Sequence, residues 1–216
     1  MAGAPRGDLA RPARSAVVIS LRVPLVLASA SPRRRDLLAH VGVPADVRPS
    51  GADETWPGGP EGAAVETLAR RKAAAMPVRG ALVLAADTVV VLGRDVLGKP
   101  ATPAEARAML RRLSGRTHTV YTGFALAFDR RTASDHRATH VTFADLSDAE
   151  IGAYVASGSP MDRAGAYGIQ DDAGALFVTR IDGDYPTVVG LPLRALYEAI
   201  TAHFPDLLAP PASPPP

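Results

Sequence analysis

Two spacings of apolar residues alternate along the chain. Runs of alternating or continuous apolar residues, "PLVLAS" (24–29), "ALVLAADTVVVL" (81–92), "HTVYTGFALAFD" (118–129), "RATHVTFADL" (137–146) and "GALFVTRI" (174–181), predict β-strands. Between them, apolar positions three and four apart predict helices over 32–41, 61–76, 103–113, 147–157 and 191–203. The boundaries carry their own chemistry. Ser31 and Pro32 open the first helix as N-cap and first helical residue, Leu37, Leu38 and Val41 share one face, and Gly42 closes it. Thr102, Pro103 and Glu105 open the third with a capping box. The long hairpin-like strands of the second half predict a mixed α/β sheet rather than a parallel one.

Composition narrows the picture. At 216 residues and 47% hydrophobic content the chain is expected to form one domain with a sizeable core. Residues 1–21, rich in Ala, Arg and Pro, are expected to be a disordered extension, 22–205 the domain, and 206–216 a proline-rich tail. The formal charge of +2 gives no electrostatic reason to expect nucleic acid as a partner. The absence of cysteine excludes disulfides, thiolate metal sites and a cysteine nucleophile, and fits a cytoplasmic protein. The stretch "RPARSAVVISLRVPLVLASA" imitates a secretory signal, but Arg22 splits its apolar run and Arg33–Arg35 follow at once, so neither export nor a membrane partner is expected.

Three features look electrostatically costly or chemically unusual. Arg33, Arg34 and Arg35 occupy the first turn of the predicted helix at 32–41, the end that is already positive, where an exposed cation loses about 0.3–1 kcal/mol. Asp87 lies in an almost wholly apolar strand, either ending the strand under a cap of backbone N–H groups or serving as metal ligand or general base. "GRDVLGKP" (93–100) has the spacing of a P-loop, but Pro100 stands where a magnesium-binding hydroxyl is needed, which leaves Lys99 as a surface lysine or a flexible phosphate contact. Weaker signals are Asp53 and Glu54, oxygen donors of the kind hard cations prefer, and Lys72, which reads alone as a helix C-terminal cation. "DRAGAYGIQ" (162–170) is either a glycine turn or a backbone able to approach a ligand, with Gln170 able to read a base edge. His40, His118, His136, His140 and His203 have no metal-binding spacing, and no G-x-S-x-G elbow accompanies the serines. Arginines at a helix N-terminus make sense if a polyanion docks there, and carboxylates would hold a cation that offsets its charge. A nucleoside triphosphate with a divalent metal satisfies both.

The motifs "LASASPRRRDLL", "AADTVVVLGRDVLGKP", "LSGRTHTVYTGFAL", "AGAYGIQ" and "GDYPTVVGLPL" together resemble the Maf family of nucleoside triphosphate pyrophosphatases over residues 23–204. The resemblance implies an elongated, two-lobed mixed α/β fold with a central cleft, similar to inosine triphosphate pyrophosphatases. It implies cleavage of a nucleotide between its α and β phosphates with Mg²⁺ or Mn²⁺, and a homodimer. By motif, Ser29, Ser31, Arg33 and Arg34 match the phosphate-binding entrance, Lys72 and Lys99 further phosphate contacts, Glu54 and Asp87 metal ligands, and Asp87 also the proton acceptor. Arg33, Thr88 and Gln170 match the branch acting on dTTP and UTP rather than the one acting on 7-methyl-GTP. A nucleotide-binding regulator of septum formation is the non-catalytic alternative. The chain departs from the family pattern at Arg163, where the motif usually reads Asp-Lys, and at Asp171 and Asp172, where it is commonly less acidic.

Overall fold

The computed structural model describes residues 19–171 and 173–210. Seven strands form one mixed sheet in the order β2-β1-β3-β5-β6-β7, with β4 paired to β3. They are β1 (Leu25–Leu27), β2 (Asp46–Val47), β3 (Leu82–Leu92), β4 (Asp95–Leu97), β5 (Thr117–Phe128), β6 (Arg131–Phe143) and β7 (Val178–Asp182). The helices are α1 (Pro32–His40), α2 (Glu61–Ala74), α3 (Pro103–Leu113), α4 (Asp148–Ala156), α5 (Tyr185–Val189) and α6 (Leu193–His203). β1 runs parallel to β2 and β3, whereas β3, β5, β6 and β7 pair antiparallel, so the mixed sheet expected from the long strands is present.

The strand period of two separates the faces of β3. One face carries Val83, Ala85, Asp87, Val89 and Val91 and is covered by α2 through Val65, Ala69 and Ala73. That helix lies so close to β5 that a Cβ at Gly123 would stand 2.6 Å from its backbone. The other face carries Leu82, Leu84 and Ala86 under α1 and α6 at one end, and Val90 and Leu92 under α3 and α4 at the other. Each fully buried Leu or Phe in these cores contributes about 1.5–3 kcal/mol. Between the two cores, Thr88 and Thr122 pair across the strands, and Thr122 donates to the Thr187 carbonyl of α5 at 2.7 Å. This polar seam divides one face of a continuous sheet into two lobes.

The partner of β3 also changes at the seam. β1 pairs with it only as far as Leu84, β4 only from Val90, and between them no strand among the described residues covers that edge. The chain leaves β1 here through Ser29–Ser31 into α1. The gap lets Asp87 and Thr88, which point to opposite faces, both reach one cleft.

Several local expectations are corrected. Ser31 occupies the N-cap position of α1, but its side chain makes no capping hydrogen bond. Thr102 caps α3 by accepting from Glu105, yet the Glu105 carboxylate returns to the N–H of Ala101, leaving the box open. Ser147 and Glu150 close a complete box at α4. The strand expected over 174–181 begins as a 3-10 turn, Gly174–Phe177, and becomes β7 only at Val178. Its burial is that of a turn, with Phe177 inside and Leu176 79% exposed. Residues 19–21, which the composition assigns to the extension, pack against the domain. Ile19 is buried, Leu21 bridges Leu208, and Arg22 donates to the Leu208 carbonyl. The remainder of the expected extension and of the proline-rich tail lies outside the described residues. Among the described residues no helix is long and apolar enough to cross a membrane.

Candidate active site

The cleft at the gap has a volume of about 800 Å³, within the range of small-molecule sites. Ser29, Ser31, Arg33, Arg34, Glu54, Lys72, Asp87, Thr88, Lys99 and Gln170, the residues that the motifs assign to the site, line it, whereas Asp53 does not: its carboxylate accepts from the Thr55 N–H and lies 3.7 Å from Arg71. They arrive from separate parts of the chain, and their environments differ.

Arg34 is partly buried and tied down by three hydrogen bonds. Its Nε donates to the Gly190 carbonyl at 2.8 Å, Nη1 to Ser29 Oγ at 2.9 Å and Nη2 to Thr88 Oγ1 at 3.1 Å. All three acceptors are neutral. Burial pulls the guanidinium below its ordinary pKa, opposed by the nearby Asp87 charge. An arginine remains charged under such a shift. The result is a fixed cation whose charge no carboxylate contact cancels among the described residues.

Arg33, on the rim, pairs with Asp162 at 3.0 Å. Burial alone would raise the Asp162 carboxyl, but Arg33 and Arg163 hold it below the ordinary value. Arg35 turns outward to Asp36 and is 57% exposed, so two of the three first-turn arginines serve the cleft and the third does not.

Across the strand the pattern reverses. Lys72 is only 7% exposed, although it lies in the last turn of α2. Its Nζ stands 2.5 Å from Asp87 Oδ1 and 3.2 Å from Glu54 Oε2. The carboxylate that looked costly within an apolar strand is thus neutralised by a buried ammonium rather than capped by backbone N–H groups. The two carboxylates converge on a single cation position, and oxygen donors in this arrangement suit a hard divalent ion. Glu54 and Asp87 therefore fit the metal-ligand expectation.

A second acidic group, Glu66, Asp135 and His136, brings its ligand atoms together but does not line the cleft. It is internally satisfied. His136 Nδ1 lies 2.6 Å from Glu66, Ser134 and Arg70 donate to the other Glu66 oxygen, and Arg137 donates to Asp135.

Lys99 and Gln170 are exposed at the cleft and make no side-chain hydrogen bond or ion pair among the described residues. Thr88 is occupied by Arg34 and Thr122, so it acts by holding Arg34 in place. Arg33, Thr88 and Gln170 all line the cleft, Arg33 paired with Asp162, Gln170 free to meet a ligand and Thr88 engaged with Arg34 and Thr122.

The sequence did not single out three further cleft residues. Asp162 binds Arg33 across 129 positions, a pairing without a local signal. Trp56 packs beside Val65 and Val89 at the cleft wall. Tyr167 places its hydroxyl 2.8 Å from His118 Nε2 beneath the glycine turn. Its apolar surroundings raise the Tyr167 pKa, and burial lowers that of His118 to about 4.

Residues 24–203 match the family described as Maf-like protein. The chain is 55% identical over 196 residues to a dTTP/UTP pyrophosphatase of Salinibacter ruber, covering 88% of this chain and 96% of the relative. It is 54% identical to a dTTP/UTP pyrophosphatase of Moorella thermoacetica, covering 82% and 93%. Among solved structures it is similar to the Staphylococcus aureus Ham1 protein, at 14% identity, TM-score 0.44 and 83% and 90% coverage, a likeness too distant to carry an argument. With most of its length matched, the chain belongs to the Maf family.

Proposed function

We propose that the protein hydrolyses dTTP and UTP between the α and β phosphates, releasing the nucleoside monophosphate and pyrophosphate. The observation that carries this reading is the partly buried Arg34, held by neutral oxygens beside the Asp87–Lys72–Glu54 group in one cleft. A rigid cation tied to neutral oxygens is an anion site formed in advance, and a carboxylate beside it supplies a proton acceptor. The names of the relatives supply the choice of nucleotide.

In this reading Arg34, Arg33 and the open Ser31 N-cap take the β and γ phosphates, and Lys99 reaches them from the β3–β4 hairpin. Glu54 and Asp87 would hold Mg²⁺ or Mn²⁺, which supplies charge neutralisation at the phosphates. Asp87 accepts a proton from the attacking water as that oxygen bonds to the α-phosphorus and the bond to the bridging oxygen breaks in line. Arg34, Lys72 and Lys99 stabilise the charge that moves onto the departing pyrophosphate. Gln170, exposed at the cleft, faces the base.

The test is pyrophosphate release from dTTP, UTP, CTP, ITP, GTP and 7-methyl-GTP with Mg²⁺ or Mn²⁺. Selective turnover of dTTP and UTP is expected. Preference for 7-methyl-GTP would overturn the substrate assignment. Tight nucleotide binding without release from any of them would leave a regulator instead of an enzyme.

A further inference from the structure

Arg163 and Asp171, two of the positions at which the chain departs from the family pattern, meet. Their side chains form an ion pair, 14% and 16% exposed respectively. The same Asp171 oxygen, Oδ2, accepts from the Tyr154 hydroxyl at 2.9 Å, and that hydroxyl accepts from the backbone N–H of Gly168 at 3.1 Å. Room for the pair exists because residue 168 is glycine: a Cβ there would overlap Arg163 Nη1 and crowd the Asp171 carboxylate. At its other end Arg163 places Nε 3.3 Å from Asp162, which also pairs with Arg33. A continuous chain of polar contacts therefore runs from the phosphate rim at Arg33 to the turn that carries Gln170.

Gln170 makes no side-chain hydrogen bond of its own among the described residues, so its aim depends on what fixes the residues around it. The turn is short, with Asp171 N–H donating to the Gly168 carbonyl at 3.1 Å. The side chain of Asp171 ties one end of it to Arg163 and Tyr154, and Tyr154 ties the other through Gly168. We infer that Asp171 is a positioning residue: by clasping Arg163 and Tyr154 it fixes the Gly168–Asp171 turn and aims the Gln170 amide into the cleft. This rests on the proposed nucleotide reading in one respect only, that Gln170 faces the base.

Asp171→Asn keeps the shape and can still accept from Tyr154, but removes the charge that holds Arg163. The guanidinium is then left with Asp162, already shared with Arg33. Misplacement of a reading group by a fraction of an ångström to an ångström costs discrimination first. The preference for dTTP over CTP, measured as a ratio of kcat/KM, is expected to fall about tenfold, with the kcat for dTTP changing less than the ratio. Independently of activity, amide hydrogen exchange at Gly168–Asp171 is expected to accelerate about tenfold, with exchange in α3 unchanged. Tyr154→Phe, which removes the other arm of the clasp, the hydroxyl between Asp171 and the Gly168 N–H, without altering charge, should move both readouts in the same direction.

Unchanged exchange and unchanged selectivity in both variants would overturn the positioning role. So would an equal loss on dTTP, UTP and CTP together with a lowered Tm, the signature of a merely structural pair. A wild-type protein without preference for dTTP or UTP would instead sink the nucleotide reading, and the exchange result would then decide the positioning role alone.

Discussion

The two faces of β3 treat a buried cation in opposite ways. On the Thr88 face, Arg34 is held by neutral oxygens and has no carboxylate in contact among the described residues, although Asp87 and Glu54 lie near enough to act on its charge. On the Asp87 face, Lys72 is spent on two carboxylates. A single change of residue parity along one strand thus separates, in the proposed reading, a site for anions from a site for proton transfer and cation binding. The gap between β1 and β4 is what makes both accessible from one side. Burying an unpaired guanidinium is costly to the free protein, and the cost is sensible only if a ligand supplies the missing negative charge.

The contrast can be broken at several points. Asp87→Asn keeps the size of the side chain but removes the proton acceptor, and kcat should fall by about 10²–10⁴ with the fold intact, as steady-state rates and a thermal melt would report. Arg34→Lys keeps a charge but loses the fork that reaches Ser29, Thr88 and Gly190 at once. The kcat/KM for dTTP should drop by about 10–100-fold, shared between KM and kcat, because Arg34 both holds the phosphates and stabilises the departing pyrophosphate.

His118 sharpens the comparison, because it lies on the Thr88 face and meets burial with its Nδ1 unpartnered. Its pKa is lowered to about 4 from 6.5, so the unfolded chain binds the extra proton between these values and the folded one does not. Stability is therefore complete above pH 6.5 and is lost as pH falls towards 4, by about 3 kcal/mol from this group. Denaturant midpoints measured across that window should fall less steeply for His118→Gln than for the wild type. The smallest effect belongs to Lys99→Ala. An exposed lysine at the departing pyrophosphate should change the KM and the kcat for dTTP by about threefold each.

How far the sequence was legible follows the range of each interaction. Pro32 and Gly42 mark α1 through local chemistry, whereas the three-residue strand β4 is too short to show a period. Asp87 stood out because one charge in a buried strand is a local contradiction. What resolves that contradiction is Lys72, whose place on α2 looked ordinary until the helix was docked over the sheet. Arg33 with Asp162 and Tyr154 with Asp171 depend on packing between distant elements, for which the chain offers no period. The short helix α5 and the 3-10 turn before β7 are too brief to show a helical period. The first-turn arginines were read as a group, but a helix sends successive residues about 100° apart, which is why Arg35 turned away.

The most direct test of the central claim is hydrolysis of dTTP in H₂¹⁸O with a divalent metal, with the products resolved by mass spectrometry. Attack at the α-phosphorus, with Asp87 taking the proton, predicts one ¹⁸O in dTMP and none in pyrophosphate. Label in pyrophosphate, or release of dTDP and inorganic phosphate, would contradict it.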